Sequence, residues 1–295
     1  MEKRISSRSR ILAFLFSEAD YTFYSPIVGG LESIAKHREY TVMCCPLSDI
    51  AERRAQQISA LCRQNIDGYI WALRDFCEED INRITETKSP LILARKYTAA
   101  SAQSFSCCYI NFTEASRRMT QHLIDQGHRR IALLFENVSQ QFMKSFCAGW
   151  EQALGENGMP CDQSLIISTP NTVAGGYLKT KELIREGNLP DAFYCASDEL
   201  AFGVMRAAQE HGIAVPEQLA VAGFTDSPMS RLTEPALTTI DLPIQRLGAV
   251  AARMLFDIIE DAGLDTPPRD EIVLQPKLKI RRSCGNEKAI NILYE

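Results

Sequence analysis

Short apolar runs alternate along this chain with stretches in which apolar residues recur three or four positions apart. The runs at Ile11–Phe16, Tyr69–Leu73, Leu91–Ala94, Ile131–Phe135, Leu165–Ile167, Phe193–Ala196 and Leu219–Phe224 have the length of buried strands. Between them, Ile27, Leu31 and Ile34 share one helical face, as do Ile58, Leu61 and Cys62, and later Leu200, Val204 and Ala207. Leu247, Val250, Met254 and Ile258 mark a longer helix. Strands alternating with helices in this way predict an α/β fold of right-handed βαβ units whose parallel sheets are covered on both faces. Punctuation agrees: Gly127 ends a helix, Ser197-Asp198 opens one directly after a strand, and Gly212 closes it before Val215-Pro216. Near the end, Ile272, Leu274, Pro276, Leu278 and Ile280 alternate with polar or exposed-type positions, which predicts one extended segment with a covered face.

Length divides this pattern. The 295 residues exceed one ordinary domain and favour two lobes. No run approaches the about 18 apolar residues needed to span a bilayer, so no membrane segment is expected. Met1-Glu2-Lys3-Arg4 lacks the apolar core of a secretory signal, which predicts a cytoplasmic protein. The net charge of −5 gives no footprint for nucleic acid, except that Lys3, Arg4, Arg8 and Arg10 crowd the first ten residues. The ten cysteines form no C-x-x-C and no zinc spacing with a histidine, so they read as free thiols and no metal is expected.

Catalytic signatures are missing: there is no G-x-S-x-G, H-E-x-x-H, phosphate loop or G-x-G-x-x-G. Gly29-Gly30 and Gly175-Gly176 lie in helical segments and read as close-packing positions rather than phosphate cradles. The expectation is therefore a binding protein, not an enzyme, with no cofactor. In open α/β sheets ligands collect at the carboxyl ends of strands, beside helix N-termini. The residues at those ends are Phe23 and Tyr24 in an aromatic cluster, Trp71, Arg95, Ser197 with Asp198, and Thr225 with Asp226. Aromatic faces with a few hydrogen-bonding groups suit a small polar ligand with an apolar side, such as a sugar or nucleobase.

Five segments carry a family resemblance. Gly127-His128-Arg129-Arg130-Ile131-Ala132 resembles the GHRRIA motif of LacI/GalR-type bacterial transcriptional regulators. Cys195–Gly203 is similar to that family's CANDEMALG stretch, and Val215–Phe224 to its VPEDVSVVGF. Pro235–Ile240 resembles PPLTTV, and Pro276–Cys284 resembles PELVVRESC. The likeness runs in order from about Ile11 to Cys284.

The resemblance implies a periplasmic-binding-protein-like type I core: two doubly wound parallel-sheet lobes joined by three crossovers. The lobes would be residues 11–110 plus 241–268 and residues 111–240 plus 269–284, with 1–10 a hinge remnant or chain start and 285–295 a tail. It also implies a small-molecule effector held between the lobes, a homodimer, and coupling to operator DNA through a helix-turn-helix headpiece. The ten residues before Ile11 cannot hold such a headpiece, so DNA contact is expected only through a missing segment. Carried over position by position, Phe23-Tyr24 match an aromatic pair, Arg95 an arginine after a PVVLIDR-like strand, Asn111 the aspartate of VDN, and Ser197-Asp198 its ND. The chain departs from the pattern where the aspartate after GF becomes Thr225, the arginine of RLAGF becomes Phe146, and the asparagine of VDN becomes Phe112. An acid and a base that fix polar effectors are thereby replaced, which predicts a flatter and more aromatic pocket. A solute-binding protein for a sugar or nucleoside is the alternative; the absent leader, the cysteines and the Arg281–Cys284 ending argue against it.

Overall fold

A computed structural model describes residues 8–18, 21–73, 75–136, 140–260 and 269–285, without the side chains of 21–23 and 140–142. Of the N-terminal segment 1–10 and the tail 285–295, only residues 8–10 and Gly285 fall inside that description. In chain order the elements are β1 (Ile11–Ser17), α1 (Tyr21–Ala35), β2 (Thr41–Leu47), α2 (Ala51–Leu61), β3 (Gly68–Trp71), α3 (Glu78–Thr85), β4 (Leu91–Leu93) and β5 (Cys107–Ile110). Then follow α4 (Phe112–Asp125), β6 (Ile131–Phe135), α5 (Gln140–Glu156), β7 (Ile166–Ser168), α6 (Val173–Arg185), β8 (Ala192–Cys195), α7 (Asp198–Glu210), β9 (Ala220–Ala222) and β10 (Thr239–Asp241). The chain ends with α8 (Ile244–Glu260), β11 (Glu271–Leu274) and β12 (Lys277–Lys279).

These elements form two compact units, Met1–Ile110 with Pro243–Leu274 and Asn111–Leu242 with Gln275–Glu295. The first holds a six-stranded sheet in the order β11-β5-β4-β3-β1-β2, parallel throughout. In β1 the two faces part cleanly: Ala13 and Leu15 join the apolar cluster of Trp71, Ile58, Ile81 and Ile84, which includes residues of α2 and α3. Phe14 and Phe16 pack instead on Tyr24 of α1. A strand apolar on both faces therefore sits in the middle of the sheet, with helices on either side. The amides of Ser9 and Arg10 donate to the Asp67 carboxylate at 3.1 and 3.0 Å, anchoring the entry into β1.

The second unit holds a parallel four-stranded sheet, β7-β6-β8-β9, with the helix pairs α4/α5 and α6/α7, and an antiparallel ribbon of β10 and β12. Ser197 caps α7 as the sequence predicts, its hydroxyl accepting from the Leu200 amide at 3.2 Å.

Three strands, β2, β5 and β10, escape the apolar-run reading. β2 is an edge strand whose Thr41, Cys44 and Pro46 are exposed, so half its positions carry no pressure to be apolar. β5, Cys-Cys-Tyr-Ile, is flanked by Ser106 and Asn111 and too short to stand out. The final alternating segment is a correction. It is not one strand with a covered face: Ile272 and Val273 are exposed on β11, and the chain breaks at Gln275-Pro276 before β12 joins a different sheet. β11 pairs with β5, so residues 271–274 belong to the first unit and the third division falls after Leu274 rather than at 268.

Glycines set the helix spacing within each unit. A methyl on Gly30 of α1 would overlap the Gln245 carbonyl oxygen of the 244–260 helix, and one on Gly248 would overlap the Ile27 carbonyl. Gly176 and Gly203 do the same for α6 and α7. Backbone lies on backbone at these crossings, which any side chain would wedge apart. Gly29, by contrast, has open space beside it, so close packing is not its role. Gly248→Ala is expected to lower stability by about 2 kcal/mol, whereas Gly29→Ala should raise it by about 0.5 kcal/mol through helix propensity. Urea unfolding of the two variants beside the parent checks the opposite signs.

Candidate functional site

In the first unit, the strand ends are tied down by aromatic hydroxyls. Tyr24 is buried, its ring against Phe14 and Phe16 at centroid distances of 5.7 and 5.4 Å, and its hydroxyl donates to the Ala72 carbonyl at 2.6 Å. Tyr97, which sequence reasoning passed over, donates likewise to Leu73 at 2.5 Å, and burial pushes its phenol pKa far up. Together they brace the segment leaving β3. Trp71, the last residue of β3, is wholly buried in the apolar cluster. Tyr24 and Trp71 were expected to face a ligand; the structure makes both core residues, because their rings supply the apolar cover the strands require. Arg95 lies two residues beyond β4 and is half-buried. Ser17, at the end of β1, donates to Asp49 at 2.7 Å, a polar pair that no motif announces. The Phe23 side chain lies outside the described residues.

In the second unit, Asn111 is the N-cap of α4, its side chain accepting from the Glu114 amide at 3.1 Å. Glu114 is held in turn by Arg117 at 2.9 Å and Arg118 at 2.6 Å. The hydrogen bond from Arg117, with that from Arg118, holds the Glu114 carboxyl down at about 2. Phe146 is a second correction: its ring is buried 4.5 Å from Tyr194 and 5.6 Å from Phe224, so it packs the interior rather than lining a surface. Phe112 lies 6.0 Å from the same Phe224. The two positions where aromatic residues replace the family's polar ones thus converge on one ring, which the sequence pattern could not reveal.

The end of β9 carries the densest polar network. Ser197 donates to Asn171 at 2.5 Å while capping α7. Asp198 is wholly buried and accepts from the Thr239 hydroxyl and the Ser227 amide, each at 2.6 Å. Burial raises its pKa against the pull of those two bonds. Asp198 therefore joins α7 to β10 and to the 225–227 turn, and both of its oxygens are engaged inside the unit. Thr225 is half-buried, with its amide donating to Ile240 at 2.9 Å. Next to it, Asp226 accepts from Arg281 at 2.5 Å and from Ser230 at 3.0 Å. Burial would raise the Asp226 pKa, but the Arg281 guanidinium outweighs it and holds the carboxyl below its usual range. Arg281 itself was missed as a site residue; its only sequence signal is its place in the Pro276–Cys284 motif.

The half-buried Arg95, Asn111 and Thr225 and the capping Ser197 are thus the predicted positions that remain at strand ends or helix starts. Among the described residues, no three His, Cys, Asp or Glu side chains are grouped to hold a metal ion, and no helix is long and apolar enough to cross a membrane. All ten cysteines are free thiols.

Residues 120–284, more than half the chain, match the periplasmic binding protein-like domain family. The chain belongs to that family. Among its relatives is catabolite control protein A of Priestia megaterium, 25% identical over 262 residues, which cover 88% of this chain and 78% of that protein. A solved complex of the transcriptional regulator CelR with cellobiose has a TM-score of 0.81 and 25% identity, covering 94% of this chain and 85% of that one. A LacI family regulator from Enterococcus faecium with bound ribose shares the fold, at a TM-score of 0.77 and 24% identity over 92% of this chain and 98% of its own. The family match, the curated relatives and the fold agree on a LacI/GalR-type effector-binding core.

At the start of α4, Glu114→Gln is expected to cost about 1 kcal/mol at neutral pH, given the partial exposure of its arginine partners. A carboxyl held at about 2 contributes stability above its unfolded pKa and loses it as pH falls toward 2. The gap between parent and variant in thermal midpoint should therefore close between pH 4.5 and pH 2, taking about 4.3 as the unfolded value. A gap that persists unchanged to low pH contradicts this.

Proposed function

We propose that this chain senses a small sugar-like effector for a LacI/GalR-type transcriptional regulator. The effector engages loops at the carboxyl ends of parallel strands. Its binding is coupled to operator DNA through a helix-turn-helix headpiece, in a cytoplasmic homodimer. The observation that carries the reading is the pair of parallel-sheet units in a member of the periplasmic binding protein-like family, together with a relative of similar fold solved as a cellobiose complex. The coupling is a population shift, so the effector must bind two conformations unequally. The transport alternative is not favoured, because the relatives are regulators. Arg95, Asn111, Ser197 and Thr225 are the polar effector contacts of this proposal.

Calorimetric titration with cellobiose, glucose and ribose tests the reading; a chain that binds none of them and shows no thermal shift with any would sink it. Arg95→Ala should weaken binding at least tenfold, as expected when a charge-assisted bond worth about 1.5–3 kcal/mol is lost. Tyr24→Phe should instead lower stability by about 1 kcal/mol and leave affinity unchanged.

The homodimer has its own support in the second unit. A surface pocket of about 310 Å³ of mixed character is lined by Phe202, Met205, Ile213 and Val215 together with Arg206, Gln209, Thr233 and Glu234, and Leu232, next in sequence to Thr233, is 71% exposed. Leu232→Asp should shift the protein from dimer to monomer in analytical ultracentrifugation; an unchanged sedimentation coefficient would rule this surface out.

A further inference from the structure

The turn after β9 holds two consecutive non-glycine residues at positive φ, Thr225 at 130° and Asp226 at 50°. A β-branched residue in that region crowds its own backbone and stays there only where the surroundings over-determine it. The surroundings here are explicit. The Thr225 amide donates to Ile240, and the Asp226 amide donates to the Thr239 hydroxyl at 3.3 Å. The same Thr239 hydroxyl donates to Asp198, whose other oxygen accepts from the Ser227 amide. The strongest restraint comes from 55 residues further along the chain. Arg281, only 5% exposed, pairs with Asp226 and also donates to the Ser230 hydroxyl at 2.9 Å and the Leu237 carbonyl at 2.7 Å.

We infer that Arg281 is a positioning residue: through Asp226 it clamps the strained turn so that the Thr225 side chain, not a carboxylate, is what this strand end offers to a ligand. The inference rests on the effector reading above for what the turn faces. Both acids at this end are already engaged. Asp198 accepts two hydrogen bonds, and Asp226 accepts from Arg281, Ser230 and, at 3.3 Å, Arg231. The Thr225 hydroxyl makes no hydrogen bond with the described residues. It can both donate and accept, so it suits the neutral hydroxyls of a polyol ring. A cationic group on the ligand would find the carboxylates of Asp198 and Asp226 already committed.

The clamp can be read without knowing the ligand, by hydrogen–deuterium exchange of the full chain over residues 224–231. Arg281→Lys keeps the charge and loses the fork; it should speed exchange in that segment about tenfold and leave the rest of the unit at parental rates. In a Thr225→Gly background the same change should have a smaller effect, because glycine adopts positive φ without strain. The double variant Asp226→Asn/Arg281→Met removes both charges together and should also expose the segment to exchange. Parental protection of 224–231 in both variants overturns the inference. So does acceleration spread evenly over the unit, or an Arg281→Lys effect undiminished beside Thr225→Gly. Titration with cellobiose separates the two readings. A parent that binds and an Arg281→Lys chain that binds more weakly at an unchanged thermal midpoint support the clamp's role in recognition. A parent that binds none of the sugars counts against the effector reading, while exchange still decides the clamp.

Discussion

A parallel sheet buried on both faces has to be roofed twice, and this requirement organises each unit. In β1 alternate residues serve opposite covers, Ala13 and Leu15 on one side and Phe14 and Phe16 on the other. Helices laid over such a surface must also pack against each other, and here they do so in pairs that touch backbone to backbone at Gly30 and Gly248, and at Gly176 and Gly203. Burying apolar area contributes roughly 25 cal/mol per Å², so moving a helix outward by a methyl's width loses contact along its length. Gly30 and Gly176, each half of a glycine pair, are consequences of the roof rather than phosphate-binding positions.

The same economy governs the strand ends. Every strand that stops beneath a roof leaves polar backbone groups and side chains that must find partners. In the first unit, Tyr24 and Tyr97 meet the carbonyls of Ala72 and Leu73. In the second, Asp198 and the Asp226–Arg281 pair join the start of α7, the turn after β9, β10 and the segment that follows β12 into one network. A buried ion pair contributes little net stability against desolvation, but breaking it leaves an uncompensated charge, so it fixes geometry more than it adds strength. That is the sense in which residues resembling ligand contacts can be structural. Their chemistry faces inward because the ends of the strands demand it first.

Legibility in the sequence followed burial. Runs buried on both faces, such as Ile131–Phe135, stood out because every position was under the same pressure. The exposed edge β2 did not, and the alternating segment 272–280 was read as one strand although Leu274 and Leu278 belong to different sheets. At the candidate site, local signals succeeded: Ser197 caps the helix its position announces, and Gly127 takes a φ of +97° at the end of α4. Signals that depended on where a ring points failed for Tyr24, Trp71 and Phe146. A residue number at a strand end carries no information on whether its side chain turns outward or back under the roof.

The alternation of periods determined, without coordinates, an α/β chain built on parallel sheets, because periodicity and capping are local consequences of backbone geometry, and the ordered motifs added its resemblance to the LacI/GalR type. Tertiary structure alone decided which polar groups are already engaged. Asp226 and Arg281 lie 55 residues apart, and Asp198 and Thr239 lie 41 apart. No local pattern links them, and only closing the fold around β9 brings these charges to one turn, where the cost of burying them unpaired enforces the contact.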